Sequence, residues 1–267
     1  MDKSVVAAVQ MVSTPLVQEN LDTARRLVHA AAEQGARFVV LPEYFCILGM
    51  NERDKIAVRE TDGDGPIQAF LADIARREHV WLVGGSVPIA TAAPDKVRSA
   101  CLVYDDRGER VARYDKIHLF GFESGNERYR EANTIEPGAT PLAIDTPFGR
   151  VALTICYDVR FPELYRGLGA VDMILVPSAF TATTGRAHWE VLLRARAIEN
   201  QAYVLAPAQG GRHPNGRETH GHTMIIDPWG QILAEQASGE AVLTATVDPA
   251  EIERVRASLP ALDHRRL

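Results

Sequence analysis

Three reactive side chains stand just past apolar runs in this sequence. They are Glu43 in Val39-Val40-Leu41-Pro42-Glu43-Tyr44-Phe45, Lys116 in Tyr114-Asp115-Lys116-Ile117-His118-Leu119-Phe120, and Cys156 in Thr154-Ile155-Cys156-Tyr157-Asp158-Val159-Arg160-Phe161-Pro162. The carboxyl end of a strand is where open α/β sheets present their ligand-binding groups. A carboxylate placed there among aromatic rings is desolvated, which raises its pKa towards the range of a general base. An ammonium between a strand and an apolar turn can hold a developing oxyanion. A thiol at a strand-to-helix turn lies beside unpaired backbone N–H groups, and the helix dipole favours its charged form. Each residue also has a plainer reading: Glu43 as a solvated turn glutamate, Lys116 as a surface lysine paired with Asp115, Cys156 as a small core residue. His118 reads as a hydrogen-bonded structural histidine. Taken together, thiol, carboxylate and ammonium suggest acyl transfer without metal or cofactor. A free thiol is mostly protonated near neutral pH, so a neighbouring base would help it. Spacing alone leaves open whether the three meet.

Composition narrows the setting. The chain has 267 residues, 46% hydrophobic and 24% charged, with a net charge of −6. That apolar fraction suits a soluble globular chain and is too high for disorder. The negative balance argues against a nucleic-acid surface, which needs a basic stripe. Three cysteines, Cys46, Cys101 and Cys156, make no disulfide framework and fit a reducing compartment. Cys101, within Ala100-Cys101-Leu102-Val103, suits a core position, and Cys46 receives no role. The first apolar run ends too soon for a signal-peptide core, and no stretch approaches a membrane span. A cytoplasmic protein is expected, with no membrane or nucleic-acid partner. P-loop, dinucleotide-binding, zinc-protease, paired-cysteine and serine-elbow motifs are all missing from the sequence.

Short apolar runs alternate with amphipathic stretches. Strands are expected at residues 5–11, 37–41, 80–87, 98–104 and 110–114, with Asp106-Arg107-Gly108 as a hairpin turn, and again at 151–156, 173–176, 202–206, 222–227 and 241–247. Helices are expected around Leu21, Ala24, Val28 and Ala31, after Pro66, at 163–168, at 188–201 and from Pro249. Without repeats or linkers, this interleaving predicts one α/β domain, residues 1–267, with helices covering the faces of its sheets.

Together the three segments resemble the nitrilase, or carbon–nitrogen hydrolase, superfamily. The matching stretches are Leu41-Pro42-Glu43, Asp115-Lys116-Ile117-His118-Leu119 and Cys156-Tyr157-Asp158-Val159-Arg160-Phe161-Pro162-Glu163, in that order, and the similarity runs from Ala8 to the His264-Arg265-Arg266 tail. The resemblance implies a four-layer α-β-β-α sandwich, usually assembled into homodimers or larger homo-oligomers. It implies that Glu43 is the general base, Cys156 the nucleophile, and Lys116 with the backbone N–H of Tyr157 the oxyanion donors. A supporting glutamate is implied at Glu131, in Glu131-Ala132-Asn133-Thr134-Ile135-Glu136-Pro137-Gly138, with Glu123 and Glu127 as nearby competitors. No cofactor and no metal are implied.

The second half points to one branch. Pro177-Ser178-Ala179-Phe180, the segment from Thr184 to Asn200, Ala208-Gln209-Gly210-Gly211-Arg212-His213, Gly221-His222-Thr223-Met224 and Asp227-Pro228-Trp229-Gly230 resemble the amidases that act on deaminated glutathione, more closely than the ω-amidases acting on 2-oxoglutaramate. The resemblance then implies a small anionic amide as substrate. Arg160, four residues past Cys156, reads as its carboxylate fork or as a helix-start arginine; Arg212 is a weaker second candidate or a loop charge. Nitrile and N-carbamoyl hydrolysis stay open. From a different class, His213, His220 and His222 could mark a metal-dependent hydrolase, although their Gly-rich loop lacks a carboxylate partner. A non-catalytic interaction protein is the remaining alternative.

Overall fold

The computed structural model describes residues 2–125 and 127–266. Two mixed sheets form its centre. In the first, the strand order is Ala241–Val247, Ser4–Gln10, Phe38–Val40, Trp81–Val83, Val97–Tyr104 and Val87–Ala90, with Arg110–Asp115 also pairing with Val97–Tyr104. In the second it is Ile232–Gln236, Thr223–Ile226, Tyr203–Ala206, Met173–Leu175, Gly149–Leu153 and Leu142–Thr146. Each sheet has three parallel strands in its middle: Ser4–Gln10, Phe38–Val40 and Trp81–Val83 in one, Gly149–Leu153, Met173–Leu175 and Tyr203–Ala206 in the other. Their flanking partners run antiparallel.

Strand Ser4–Gln10 shows why the layers stack as they do. Side chains alternate between the faces of a strand. Ala7 and Val9 pack with Leu21, Ala24 and Val28 of helix Val17–Glu33 and with Leu71 and Ile74 of helix Pro66–Glu78. Val6 and Ala8 instead join the cluster containing Val151, Leu153, Ile174 and Leu205 of the second sheet. The far side of that sheet is covered by helix Ala182–Asn200, through Trp189, Leu193 and Ala197. The sequence of layers is therefore helix, sheet, sheet, helix. Both faces of every central strand are buried, which is why these runs read as unbroken apolar stretches.

Three expectations change. The strand expected at 80–87 is split into Trp81–Val83 and Val87–Ala90 by Gly84-Gly85. The strand expected at 151–156 ends at Leu153, and a 3₁₀ turn, Cys156–Arg160, follows. The helix expected from 188 starts at Ala182, because Thr181 caps it, its hydroxyl accepting from the Thr184 N–H at 3.2 Å. Among the described residues, no helix is long and apolar enough to cross a membrane.

Candidate active site

Glu43 leaves the first sheet just after strand Phe38–Val40. Pro42 ends the ladder, and the following residue, Tyr44, takes a left-handed conformation with φ 58°. Gly85 (φ +42°) lies so near that an added Cβ would sit 1.9 Å from the Pro42 carbonyl oxygen. Gln209 Nε2 donates to the Glu43 carbonyl at 3.0 Å. The glutamate's backbone is thus fixed on both sides, and its side chain is only 1% exposed.

Lys116 follows strand Arg110–Asp115 of the same sheet and is fully buried. Its backbone carbonyl accepts from Gly138 N at 2.8 Å, and a Cβ on Gly138 would fall 2.1 Å from the Asp115 carbonyl oxygen. The ammonium donates to Glu43 Oε1 at 2.7 Å and to both oxygens of Glu131, at 3.0 and 2.8 Å. Glu131 also accepts from the Phe120 N–H at 2.7 Å and from the Tyr44 hydroxyl at 2.9 Å. Among the three glutamates open to the sequence, Glu131 reaches the lysine; Glu123 is exposed and pairs with Arg128.

Cys156 comes from the second sheet. It opens the 3₁₀ turn with φ 49°, a left-handed conformation that few non-glycine residues adopt. Its N–H donates to the Pro177 carbonyl at 2.9 Å. The Glu43 and Lys116 charges both act on the Cys156 thiol, and the Ala179 N–H favours its ionised form. Tyr157, next in the turn, carries one of the first N–H groups of a helical turn, which have no partner within it. Phe120, Tyr157, Ala179, Phe180 and Thr184 line a small cleft over Cys156.

Asp158 clasps the two sheets together. This fully buried carboxylate accepts from Ile155 N at 2.9 Å and the Tyr114 hydroxyl at 2.7 Å. It also takes the His118 N–H at 3.0 Å and lies 2.8 Å from His118 Nδ1. His118 stacks on Phe161 at 3.7 Å. The sequence shows Asp158 only as a polar residue near Cys156, since its partners lie about forty positions away in the chain.

The electrostatics separate two carboxylates. Burial pushes Glu43 up from the ordinary value, and Lys116 only partly opposes this. Burial pushes Glu131 the same way, but the Lys116 charge and the hydrogen bonds from Lys116 and Phe120 prevail, so its pKa is lowered. Burial disfavours the Lys116 ammonium, yet the Glu131 and Glu43 charges outweigh it and hold the group well above its usual range. Burial, then the Glu43 charge, pushes the Cys156 thiol well up. These causes favour a neutral thiol over a preformed thiolate. Cys46 and Cys101 are also free and buried, and burial pushes Cys101 up to about 12.

The two candidate arginines separate. Arg160 lies at the edge of the cleft, its guanidinium 5.6 Å from the Tyr157 ring centroid and 5.2 Å from that of Phe180, with Nη1 3.1 Å from His188 Nδ1. Arg212 is exposed on the short hairpin Gly210–Arg212/Glu218–His220 and lines no part of the cleft. Arg217, five residues on, points inward instead: Nη2 donates to the Ala179 carbonyl at 2.7 Å. The three loop histidines are committed locally. His213 lies 2.9 Å from the Ser13 carbonyl and 2.8 Å from the Thr219 hydroxyl, while His220 and His222 stack at 4.4 Å. Among the described residues, no three His, Cys, Asp or Glu side chains gather as a metal-ligand set.

A glutamate, a lysine and a cysteine held in this way invite comparison with known sequences. The carbon–nitrogen hydrolase family profile matches residues 5–257. The chain belongs to the carbon–nitrogen hydrolase family. It is 44% identical over 266 residues to a protein of Synechocystis sp. named deaminated glutathione amidase, covering 97% of each chain. The mouse protein of that name is 40% identical over 268 residues, covering 98% of this chain and 83% of the other. Among solved structures, the Caenorhabditis elegans NitFhit protein superposes with a TM-score of 0.92 at 37% identity, over 100% of this chain and 66% of that one. An amidase from Nesterenkonia sp. AN1, solved with acrylamide as a variant altered at a glutamate and a cysteine, gives 0.82 at 28% identity, over 98% and 94% of the two chains. This carbon–nitrogen hydrolase is thus an enzyme of the amidase kind, with a small-molecule amide as its substrate class.

Proposed function

We propose that the chain, as a single catalytic domain, hydrolyses deaminated glutathione to 2-oxoglutarate and cysteinylglycine through a thioester on Cys156. The supporting observation is the Lys116 ammonium clamped between Glu43 and Glu131, with the Cys156 thiol in the field of both Glu43 and Lys116. Glu43 takes the thiol proton as the sulfur attacks the amide carbon. Lys116 and the Tyr157 N–H stabilise the tetrahedral oxyanion, each such donor typically contributing about 2.7–4 kcal/mol. The C–N bond breaks as Glu43 returns the proton to the leaving nitrogen. Water, losing a proton to Glu43, then attacks the thioester; the C–S bond breaks, the acid departs, and the thiol is restored. Glu131, ionised and held by Tyr44 and Phe120, keeps Lys116 in place. Arg160, at the cleft's edge, takes the 2-oxo acid carboxylate.

Assembly and location belong to the same reading. Val191 (69% exposed) and Ile198 (48%) lie seven residues apart on one face of helix Ala182–Asn200, and Trp229 (55%) projects from the turn whose Gly230 abuts Ile198. An apolar face of this kind supports a homodimer. A nucleophile that oxidation would silence fits a reducing, cytoplasmic setting.

The decisive experiment supplies deaminated glutathione to the purified protein and follows 2-oxoglutarate by a coupled dehydrogenase assay. Turnover is expected without added cofactor, and Cys156→Ala should abolish it while circular dichroism stays native. Ordinary turnover by that variant would overturn the mechanism, and no turnover by the parent protein would overturn the substrate.

A further inference from the structure

A second, larger cleft opens beside the one over Cys156, with Tyr44, Lys55, Tyr129, Asn215 and Arg217 in its walls. We propose that this cleft is a second anion subsite, in which Arg217, assisted by Lys55, binds a carboxylate carried by the leaving amine. The inference builds on the acyl-transfer reading above and adds the half of the substrate that departs first.

Contacts with the reacting centre place it. The Tyr129 ring packs on Phe120, 5.7 Å between centroids, and Phe120 lines the cleft over Cys156. Arg217 donates to the carbonyl of Ala179, which lines the cleft over Cys156. Tyr44 follows Glu43 directly and bonds Glu131. The proton donor to the leaving nitrogen therefore adjoins this cleft, so an amine protonated by Glu43 departs towards it. The space directly above Cys156 holds about 10 Å³, room for little more than a water, whereas the neighbouring cleft holds about 280 Å³ and is open to solvent. A peptide-sized leaving amine has room only in the second.

Charge gives the chemical class. Arg217 lies 5.1 Å above the Tyr129 ring, its Nε is buried without a protein acceptor, and no Asp or Glu among the described residues forms an ion pair with it. A guanidinium held over a ring, with an uncompensated charge, is preorganised for a carboxylate. Lys55, mostly buried, sits 5.4 Å from the Tyr44 ring centroid and is paired at 2.7 Å with Glu52. Glu52 tempers that cation, so Arg217 is the principal anchor. Cysteinylglycine ends in a carboxylate of this kind, while the ammonia released from 2-oxoglutaramate has none.

The two substrates share one acyl group, so their ratio isolates the leaving half. The test measures kcat/KM for deaminated glutathione and for 2-oxoglutaramate with the parent enzyme and with Arg217→Ala. It adds deaminated glutathione whose terminal carboxylate is amidated. Arg217→Ala should lower the deaminated glutathione to 2-oxoglutaramate ratio by about ten- to a hundredfold, the usual size of a lost charge-assisted hydrogen bond. Amidation should lower the parent's ratio similarly and add little to the variant's loss. General damage to the fold lowers both substrates together and leaves the ratio unchanged; an unchanged ratio overturns the subsite. Independent losses from variant and amide overturn it as well. A parent enzyme that turns over 2-oxoglutaramate but not deaminated glutathione overturns the subsite while leaving the acyl chemistry intact; one that turns over neither overturns both.

Discussion

Glu43 and Glu131 hold the same Lys116 ammonium, at 2.7 and 2.8 Å, yet titrate in opposite directions. The difference lies in their other partners. Glu131 also accepts from a backbone N–H and a phenol, both of which favour its charge, whereas Glu43 faces a thiol. Two carboxylates driven apart by their surroundings are suited to different tasks, and the mechanism proposed above gives Glu43 the proton transfers and Glu131 the standing charge.

Glu43 should set the acid limb of the pH–rate profile. In the proposed mechanism its carboxylate accepts the Cys156 proton, and its pKa lies above the ordinary 4.5. Activity therefore rises as pH climbs through that raised value. Glu43→Gln should lower kcat/KM by at least about a hundredfold and erase the limb. An unchanged limb in that variant would assign the titration to another group.

Glu131 should act on stability as well as rate. Its folded pKa lies below the ordinary 4.5, so its contribution is complete above about that pH and vanishes as pH falls through the lower folded value. Glu131→Ala leaves a buried ammonium with one partner fewer, a change that typically costs about 3–5 kcal/mol. Urea titrations at neutral and at acidic pH should show the gap from the parent closing as the solution becomes more acid. A gap that widens on acidification would contradict this assignment.

Asp158 should act as a positioning residue for the Cys156 turn. Asp158→Asn replaces an acceptor-only carboxylate with a group that must present donors to Ile155 N, Tyr114 or His118. We expect a loss of about 1.5–3 kcal/mol for a buried charged acceptor. We also expect kcat to fall more than KM rises, because the Cys156 turn shifts relative to Lys116. Parent-like stability and kcat would show that the clasp is dispensable.

Arg160 should govern the acyl half. Arg160→Ala is expected to raise KM for 2-oxo acid amides by about tenfold or more, with a much smaller change for neutral amides. Equal losses on both classes would remove its role as a carboxylate fork.

The strand ends bearing Glu43, Lys116 and Cys156 were legible in the sequence because apolar runs bounded by Pro42, Asp115 and the Cys156 turn mark where buried strands stop. The network around them was not. Glu131 differs from Glu123 and Glu127 only through Phe120, Tyr44 and Lys116, which converge on it in three dimensions. Asp158 is conspicuous only once strand Arg110–Asp115 lies across from it. Arg212 and Arg217 lie five residues apart, and only the folded chain shows that Arg217 reaches the Ala179 carbonyl while Arg212 stays exposed. The early start of helix Ala182–Asn200 escaped because Ala182, Thr183 and Gly185 carry no apolar periodicity, while Gly185 accommodates the His220 ring, which a Cβ would meet at 2.1 Å.

The groups proposed to react ride on two separate plates. Glu43 and Lys116 project from one sheet and Cys156 from the other, and the seam between them is apolar save for clasps such as the Tyr114–Asp158 bond. A slip of a fraction of an ångström along that seam would leave every ladder hydrogen bond intact and still part the sulfur from its base. Activity in this enzyme is accordingly a finer gauge of interlayer alignment than any spectrum of its strands and helices, and gentle heating should silence it before the sheets themselves come undone.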